Sequence, residues 1–461
     1  MYRKNAFRFF IPPGFLRHTS ERRHSPAHKE GTMVRHICIF EDSQHIQFLP
    51  LVYFRPVYDL RCGIFQLKEK ILLRAPKTGI TLQCRSYLAG SVQRDNPGTF
   101  VNEIPSDECL FINGRIIASQ KLIKKIFSAA PKDTVYMHGS QVVAAFVQGE
   151  NLKKLRARLS TPLSFSDFSG IASEDIDAEL VSFPWDLVQK NSAQLAEDFT
   201  FMEKRSGSKK RIRGKLAPGT FLSGKKRIII EQGSLLQPGC VLNADRGPIY
   251  IGKGVQVYPQ TTIFGPAAIL QNSILKAGAQ IYENTTIGPV CKVGGEIEGS
   301  IIQGYSNKQH AGFLGHSYIG SWVNLGAGTN TSDLKNNYST VKIALADRQV
   351  DTGLQFVGLT MGDHSKTAIG SKFNTGTVVG VCCNIFGSAF PKKYVPSFSW
   401  GGAGEGTAVY GIEKAIAAAK KAMERRGIEL SSIDEKIFRV VYEATMQERR
   451  NEGLEEKQAT E

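Results

Sequence analysis

One histidine, His310, stands in a part of the sequence where glycine is frequent. An imidazole has a pKa of about 6.5, so it can accept or release a proton at neutral pH. The block Gly326–Thr329 follows shortly afterwards, and backbone N–H groups in such glycine-rich turns can stabilise an oxyanion. These residue types are suited to proton transfer beside a developing negative charge. A histidine in a surface loop with no chemical role is the alternative.

The charges and the cysteines exclude several classes of protein. The formal net charge of +16 comes mainly from residues 1–32, with 7 Lys/Arg against 2 acids, and residues 203–227, with 10 against 1. Because DNA binding needs cations clustered on a folded face, we expect no nucleic-acid partner. No apolar run is long enough for a membrane-spanning helix. The eight cysteines are scattered without a C-x-x-C pair, which indicates neither a zinc site nor a disulfide framework and predicts a reducing, cytoplasmic location.

A six-residue repeat is the strongest structural pattern in the chain. Eight apolar residues recur at this interval: Ile251, Val257, Ile263, Ile269, Leu275, Ile281, Ile287 and Val293. Neither a helix nor a flat strand has this period, whereas a parallel β-helix does, because six residues form one short strand and one turn. Residues 201–461 hold 35 of the 45 glycines, as the tight turns of such a coil require.

The repeat continues beyond Val293 with changes of phase, which indicate loops inserted between coils. We expect interior positions in two further groups: Ile301, Phe313, Ile319 and Leu325, then Ile369, Thr375 and Val381. A β-helix is therefore predicted over residues 228–400. The repeat alone is also compatible with a scaffold that has no site.

Other segments complete the predicted organisation. Residues 33–202 combine short apolar runs with helical spacing, which predicts an α/β domain that begins with a strand over Val34–Phe40. Helices are predicted over Gln141–Val147 and after Pro184. Residues 1–32 are expected to be a disordered extension or to precede the true start at Met33. Residues 203–227 are predicted to be a basic linker. Residues 401–461 are predicted to form two helices, with a capping box at Ser432 and Glu435, and a charged tail.

The stretch from Asn307 to Gly320, followed by Val323–Thr329 and by Asp333-Leu334-Lys335, resembles a known family. It is similar to the acetyltransferase half of the bifunctional N-acetylglucosamine-1-phosphate uridylyltransferase/glucosamine-1-phosphate acetyltransferases, above all to the archaeal type. The resemblance implies a left-handed β-helix, a homotrimer and acetyl-coenzyme A as the acyl donor.

The resemblance also implies roles for individual residues. His310 corresponds to the catalytic base and Asn324 to an asparagine that contacts the sugar. The segment Gly326, Ala327, Gly328 and Thr329 would supply the coenzyme A and oxyanion region. This sequence departs from the family pattern at three substrate positions. The phosphate-binding arginine corresponds to Gly294 with Lys292 as the nearest cation, the sugar-binding lysine to Glu298, and a tyrosine to Phe313.

The N-terminal half resembles the nucleotidylyltransferase domain of the same family, in a Rossmann-like fold. Phe40-Glu41-Asp42 and the stretch Phe48 to Ile71 carry this resemblance. The glycine-rich phosphate loop is absent, and Asn113-Gly114-Arg115 stands where the family has a Gly-Asp pair that binds Mg²⁺. Four cations are candidates for nucleotide or phosphate contact: Arg55, Arg61, Lys70 and Arg115.

Three interpretations of the N-terminal half follow. It is a divergent nucleotidylyltransferase that uses Mg²⁺, a degenerate domain that binds a sugar nucleotide, or a structural cap. For the whole chain, the sequence predicts a transferase of sugar-nucleotide synthesis that acetylates an amino-sugar phosphate or nucleotide. A non-catalytic trimeric scaffold or sugar-nucleotide-binding protein is the alternative.

Overall fold

In the computed structural model, residues 36–128, 132–206, 211–402, 404 and 406–454 are described. The predicted first strand is present as His36–Phe40. The predictions on residues 1–32, on Met33 and on the last residues of the charged tail lie outside the described residues.

A mixed seven-stranded sheet organises the N-terminal region, which we define as residues 36–206. The strands are β1 His36–Phe40, β2 Arg61–Cys62, β3 Phe65–Gln66, β4 Gly79–Leu82, β5 Phe100–Val101, β6 Glu108–Asn113, β7 Thr134–His138, β8 Gln141–Gln148 and β9 Ser173–Asp175. The strand order is β5-β4-β1-β6-β8-β7-β9, with β8 antiparallel to both β6 and β7 and the other pairs parallel. A small hairpin of β2 and β3 lies apart from this sheet.

In the described part of this region, five α-helices accompany the sheet: α1 Leu67–Arg74, α2 Ala89–Asp95, α3 Gln120–Phe127, α4 Gly149–Arg156 and α5 Pro184–Ser206. The helix predicted after Pro184 is confirmed as α5, since proline is well tolerated in the first helical turn. The helical interpretation of Gln141–Val147 is wrong, because this segment is strand β8 in the interior of the sheet. A strand buried on both faces forms a continuous apolar run, which periodicity cannot distinguish from a buried helix.

The C-terminal region folds as a parallel β-helix with three faces, which confirms the predicted fold class of an α/β region followed by a left-handed hexapeptide β-helix. Face 3 is a continuous nine-stranded sheet, whereas faces 1 and 2 each begin as a six-stranded sheet. Strands on face 3 are Ile228–Ile230, Ile249–Ile251, Ala267–Ile269, Thr285–Ile287, Ile301–Gly304, Tyr318–Ser321, Thr360–Met361, Val378–Val379 and Tyr394–Val395.

The other two faces follow the same parallel stacking, except that Thr407–Val409 pairs antiparallel with Ser399–Gly401. Strands on face 1 are Lys215–Leu216, Leu235–Leu236, Gln256–Val257, Ile274–Leu275, Lys292–Val293, Asn307–Lys308, Lys366–Thr367, Asn384–Ile385, Ser399–Gly401 and Thr407–Val409. Strands on face 2 are Phe221–Ser223, Val241–Asn243, Thr262–Phe264, Gln280–Ile281, Glu296–Glu298, Phe313–Gly315, Asn330–Thr331 and Lys372–Phe373. A hairpin of Lys342–Ala344 and Gln349–Asp351 lies in the chain between Thr331 and Thr360.

Equivalent side chains stack inside the β-helix from one coil to the next. On face 3 the strand register aligns Ile287 with Ile302, and Ile302 with Ile319. The predicted interior positions Ile301 and Phe313 are therefore wrong by one residue, since Ile302 and Leu314 occupy the core. The later group is wrong by two, because Thr367, Phe373 and Val379 point inward and Ile369 is 83% exposed. The residues inserted between coils shift the phase of the repeat, and the six-residue period does not predict the size of this shift.

The predicted linker over residues 203–227 is also wrong for most of its length. Helix α5 extends to Ser206, and Lys215–Leu216 and Phe221–Ser223 are already strands of the first coil. The lysines and arginines of residues 211–227 lie at exposed positions of this coil. This coil has few inward-pointing residues and many exposed cations, so its sequence resembles that of a basic linker.

Three C-terminal helices follow the coil: α6 Ile412–Glu424, α7 Ser432–Ala444 and α8 Met446–Asn451. The capping box is formed by Ser431 and Asp434, one residue before the predicted pair. Residues of α6 and α7, such as Ile416 and Phe438, share one apolar core with β-helix residues such as Phe398 and with the N-terminal region. Within the described residues, no helix is both long enough and apolar enough to cross a membrane.

Candidate active site

His310 lies at the corner where face 1 turns into face 2. The strand Asn307–Lys308 precedes this corner and the strand Phe313–Gly315 follows it. The Gly294 N–H donates to the Lys308 carbonyl at 2.6 Å, and the Gly328 N–H donates to the Ala311 carbonyl at 3.2 Å. The corner is thus held between the preceding and the following coil. The His310 imidazole is exposed and has no hydrogen-bond partner among the described residues.

A buried lysine fixes the backbone of this corner. Lys308 occupies an inward position that is aliphatic in the preceding coil, where Val293 is its register partner. Its Nζ donates to the carbonyls of Gly294 at 3.1 Å and His310 at 3.0 Å. Burial lowers the pKa of Lys308 to about 8. Lys308 therefore positions the residue that carries the exposed imidazole.

Glycine is required at two places where coils meet at this corner. A Cβ on Gly312 would lie 2.1 Å from the Thr329 carbonyl oxygen. Gly295 has φ +74°, and a Cβ there would lie 2.6 Å from the His310 carbonyl oxygen. A side chain at either position would push the His310 corner away from its neighbours, so the glycines keep the coils in close contact.

The segment Gly326–Thr329 forms the same corner in the next coil. Most of its backbone N–H groups donate hydrogen bonds to other residues of the β-helix. The Gly326 N–H donates to Thr367 Oγ1 at 2.9 Å, and the Thr329 N–H to the Gly326 carbonyl at 3.2 Å. The Gly328 N–H bonds to Ala311, as described above. Of this predicted oxyanion segment, only Ala327 has an N–H without a partner in the described chain, and the residue is half-buried.

A column of polar side chains runs along the outside of face 1 beside the same corner. The strand register aligns Lys292 with Asn307, and a bridge aligns Asn307 with Asn324. The Asn307 Nδ2 donates to Asn324 Oδ1 at 3.2 Å. The predicted substrate residues Lys292 and Asn324 therefore lie on one face, one rung on either side of Asn307.

Phe313 does not belong to this column. It lies on face 2, where Glu296 is its register partner, and its ring covers Gly315. Its backbone N–H donates to Asn330 Oδ1 at 2.8 Å. Phe313 is thus on the other side of the corner from Asn324.

Two other histidines of the β-helix are held by structural contacts. His316 Nδ1 lies 2.8 Å from Asp333 Oδ2, and its ring packs against Phe356 with centroids 5.1 Å apart. His364 is buried, and burial holds its pKa well below the usual value. His310 is consequently the histidine of this corner that is open to a ligand.

Two of the four predicted phosphate contacts join the N-terminal region to the β-helix. Arg55 forms an ion pair with Asp363 and donates to Ser321 Oγ at 3.0 Å. Arg61 donates through Nη1 to the Ile64 carbonyl at 2.7 Å, and its backbone N–H donates to the Tyr318 hydroxyl at 2.8 Å. The Arg55 side chain and the Arg61 backbone therefore hold the two regions together, and both side chains are nearly buried.

The other two candidates are neutralised inside the N-terminal region. Lys70 is fully buried and lies 2.5 Å from Asp198, whose pKa burial raises. Arg115 is also fully buried, with its Nη2 2.6 Å from Asp42 and 2.8 Å from Gln141 Oε1. Its Nη1 donates to the Val181 carbonyl at 2.6 Å. The structure does not bring the four cations together as one cluster.

These contacts test whether the N-terminal region fits a magnesium ion. Arg115 stands at the position that the resemblance assigns to a metal-binding carboxylate, and it occupies both oxygens of Asp42. The neighbouring Glu41 is fully buried and paired with Arg85. A cation at either carboxylate would have to displace a guanidinium from a closed site. The residues present do not fit Mg²⁺.

Sequence reasoning missed Lys308 and Arg426. Lys308 would have been found with the correct phase, because a lysine at an inward position of the repeat is anomalous. Arg426, which donates to Asn307 Oδ1 at 2.6 Å, carried no local signal, since the two residues are separated by 119 positions.

Comparison with known proteins supports the resemblance. Residues 37–206 match the model of the family described as sugar nucleotidyl transferase. The bifunctional protein GlmU of Methanocaldococcus jannaschii is 28% identical over 47% of this chain and 45% of its own length. The bifunctional sugar-1-phosphate nucleotidylyltransferase/acetyltransferase of Sulfurisphaera tokodaii is 27% identical over 27% of this chain and 30% of its own.

A third relative, the bifunctional protein GlmU of Acaryochloris marina, is 30% identical over 34% of this chain and 33% of its own length. The matches thus span less than half the length of these relatives. Among solved structures, the UDP-N-acetylglucosamine acyltransferase of Francisella novicida has 15% identity and a TM-score of 0.31, over 52% of this chain and 87% of its own. The resemblance drawn from the sequence is confirmed by the family match and the three relatives.

Proposed function

We propose that this chain is an acetyl-coenzyme A-dependent N-acetyltransferase that acts on an amino-sugar phosphate or amino-sugar nucleotide at the His310 corner. The observation that supports it most is an exposed imidazole on a corner whose backbone is tightly fixed, beside an outward column of polar side chains. A fixed backbone with an open side chain is what a general base needs to reach a substrate.

In this mechanism His310 accepts a proton from the substrate amine while the amine nitrogen attacks the thioester carbonyl. The N–C bond forms, the C–S bond breaks, and the proton passes from the imidazole to the departing coenzyme A thiolate. The unpartnered Ala327 N–H is the candidate donor to the oxyanion. Asn324 contacts the sugar, and Lys292 lies in the same column.

The N-terminal region has a different part in this proposal. Its match to sugar nucleotidyl transferases reflects its fold, whereas its paired charges do not fit Mg²⁺-dependent transfer. We therefore place acyl transfer alone in the β-helix and assign the N-terminal region a supporting role. A screen of sugar 1-phosphates with each nucleoside triphosphate and Mg²⁺ should release no pyrophosphate above the background without enzyme. Turnover with any pair would overturn this assignment.

The acyltransferase proposal is tested by release of free thiol from acetyl-coenzyme A. Purified protein is supplied with glucosamine 1-phosphate, with other amino-sugar phosphates and with amino-sugar nucleotides. At least one acceptor should give release that depends on enzyme. Absence of release with every acceptor, together with no coenzyme A binding by calorimetry, would favour the trimeric scaffold instead.

A homotrimer is part of the proposal, because the resemblance implies one. Ile369, which is 83% exposed, lies on the same corner as His310 in a later coil, and a neighbouring subunit would cover such a side chain. Light scattering on the purified protein should give three times the chain mass. A cytoplasmic location is proposed as well, since all eight cysteines are free and buried. Cell fractionation tests it.

A further inference from the structure

Four cations gather on the outside of face 1 without a carboxylate partner. This cationic cluster consists of Lys276, Lys292, Arg425 and Arg426. In the described part of the chain no ion pair neutralises any of them, in contrast to Arg55, Lys70 and Arg115. Burial lowers the pKa of Lys292, and the nearby Arg426, Arg425 and Lys276 lower it further. Like charges held together in this way favour binding of an anion.

The C-terminal end of helix α6 positions Arg425 and Arg426 in the cationic cluster. Its buried residues Ile416, Ala419 and Met423 fix the helix in the apolar core shared with the β-helix. The Ile428 N–H donates to the Met423 carbonyl at 3.1 Å, and the Gly427 N–H to the Glu424 carbonyl at 2.9 Å. This is a Schellman motif, in which Gly427 takes the left-handed conformation with φ +70°. It fixes the residue before it, Arg426.

Arg426 then contacts the polar column directly. Its Nη2 donates to Asn307 Oδ1 at 2.6 Å, while Asn307 donates to Asn324. Lys292 is one rung from Asn307, and rungs of a sheet are about 4.8 Å apart. Arg426 is half-buried. Arg426 thus contacts Asn307, the direct neighbour of Asn324, which is the asparagine proposed to contact the sugar.

We propose that the cationic cluster binds the phosphoryl group of the acyl acceptor, with Arg426 as its principal contact. This inference rests on the proposed function, which supplies the acceptor. The resemblance places a phosphate-binding arginine where this chain has Gly294. Arg426 reaches the same side of the corner from a different element and presents the planar fork that matches phosphoryl oxygens. The cluster selects a phosphorylated acceptor over a free amino sugar.

A binding measurement tests the cluster without requiring turnover. Inorganic pyrophosphate is titrated into the full-length protein by calorimetry at low and moderate salt. The expected result is binding that weakens with salt and becomes about 10- to 100-fold weaker in Arg426→Gln, as for loss of a charge-assisted hydrogen bond. Lys420→Gln, a charge loss on an exposed position of the same helix, should bind like the unaltered protein. No binding by the unaltered protein, or equal affinity in Arg426→Gln, would overturn the proposal.

Steady-state kinetics separates the acceptor from the other phosphorylated substrate. Arg426→Gln should raise the KM for the amino-sugar phosphate about 10- to 100-fold while kcat changes little, and Arg426→Lys should recover part of the loss. A rise confined to the KM for acetyl-coenzyme A would assign the cluster to the donor and contradict the proposal. Failure of thiol release with intact pyrophosphate binding would instead count against the proposed function alone.

Discussion

The N-terminal region and the corner around His310 use charged side chains in opposite ways. In the N-terminal region several buried cations meet a carboxylate, as Arg115 meets Asp42 and Arg85 meets Glu41. At the corner an imidazole and four cations lie exposed or half-buried, and no carboxylate of the described residues pairs with them. The first arrangement stabilises a fold, whereas the second leaves binding capacity for a ligand.

This difference shows how charged residues can serve the fold instead of a ligand. Arg115 stands where the resemblance implies a metal-binding carboxylate, and its guanidinium pairs with Asp42 inside the protein. Because both groups are buried, breaking the pair costs far more than an exposed ion pair would. The region thus keeps its match to the sugar nucleotidyl transferase model, while the charges of Arg115 and Asp42 are used within the protein.

Replacement of the imidazole should give the largest effect. His310→Ala is expected to reduce acetyl transfer by about 10²- to 10⁴-fold, since a general base contributes roughly this factor. The rate of thiol release at saturating acceptor measures it. His138→Ala, at an exposed histidine of β7, is the matched control and should retain full activity. A fully active His310→Ala would remove the base from the mechanism and erase the contrast between the two regions.

Breaking the buried pair in the N-terminal region should lower stability rather than activity. Arg115→Leu leaves Asp42 without its partner, and we expect a loss of about 3–5 kcal/mol in the free energy of unfolding. Denaturant titration followed by circular dichroism measures it. The double variant Arg115→Leu with Asp42→Leu should be more stable than the single one, because no uncompensated charge remains.

The same variant tests the contrast between the regions through activity. At a temperature where Arg115→Leu stays folded, its acetyl transfer should match that of the unaltered protein. A selective loss of thiol release without a loss of stability would mean that Arg115 acts in the reaction.

The buried lysine beneath the corner should make stability depend on pH. Its folded-state pKa of about 8 is below the ordinary value of 10.5, so between these values the unfolded chain binds more protons than the folded one. Stability therefore rises with pH through this window. Relative to Lys308→Met, the unaltered protein should gain about 3 kcal/mol as pH increases from 8 to 10.5. Equal pH profiles for both proteins would contradict burial of a titrating amine.

A change at the end of helix α6 should have the smallest effect. Gly427→Ala places a Cβ in the left-handed conformation, at a cost of about 1 kcal/mol. We expect a slightly lower unfolding midpoint and weaker pyrophosphate binding, because Arg426 is no longer held in place. Gly453→Ala, at another glycine with φ +70°, is the control that should affect the midpoint alone. Unchanged pyrophosphate affinity in Gly427→Ala would show that the cap does not position Arg426.

The sequence by itself determined the architecture of the β-helix and the helix after Pro184. The six-residue repeat is local, since each side chain is required by the narrow interior of its own coil. The same pattern failed where loops intervene, so Leu314 and not Phe313 points inward. The helical interpretation of Gln141–Val147 failed because burial on both faces removes the periodicity.

Only the tertiary structure decided which charged side chains form ion pairs inside the protein. Arg115 and Asp42 are 73 residues apart, and Arg55 and Asp363 are 308 apart. Nothing near Arg115 or Arg55 in the sequence distinguishes a buried ion pair from a phosphate contact, because the partner arrives only when distant elements pack. Arg426 reaches Asn307 in the same way, and no carboxylate of the described residues pairs with it. The sequence determined which residues are charged, and packing decided which of those charges remain open to a ligand.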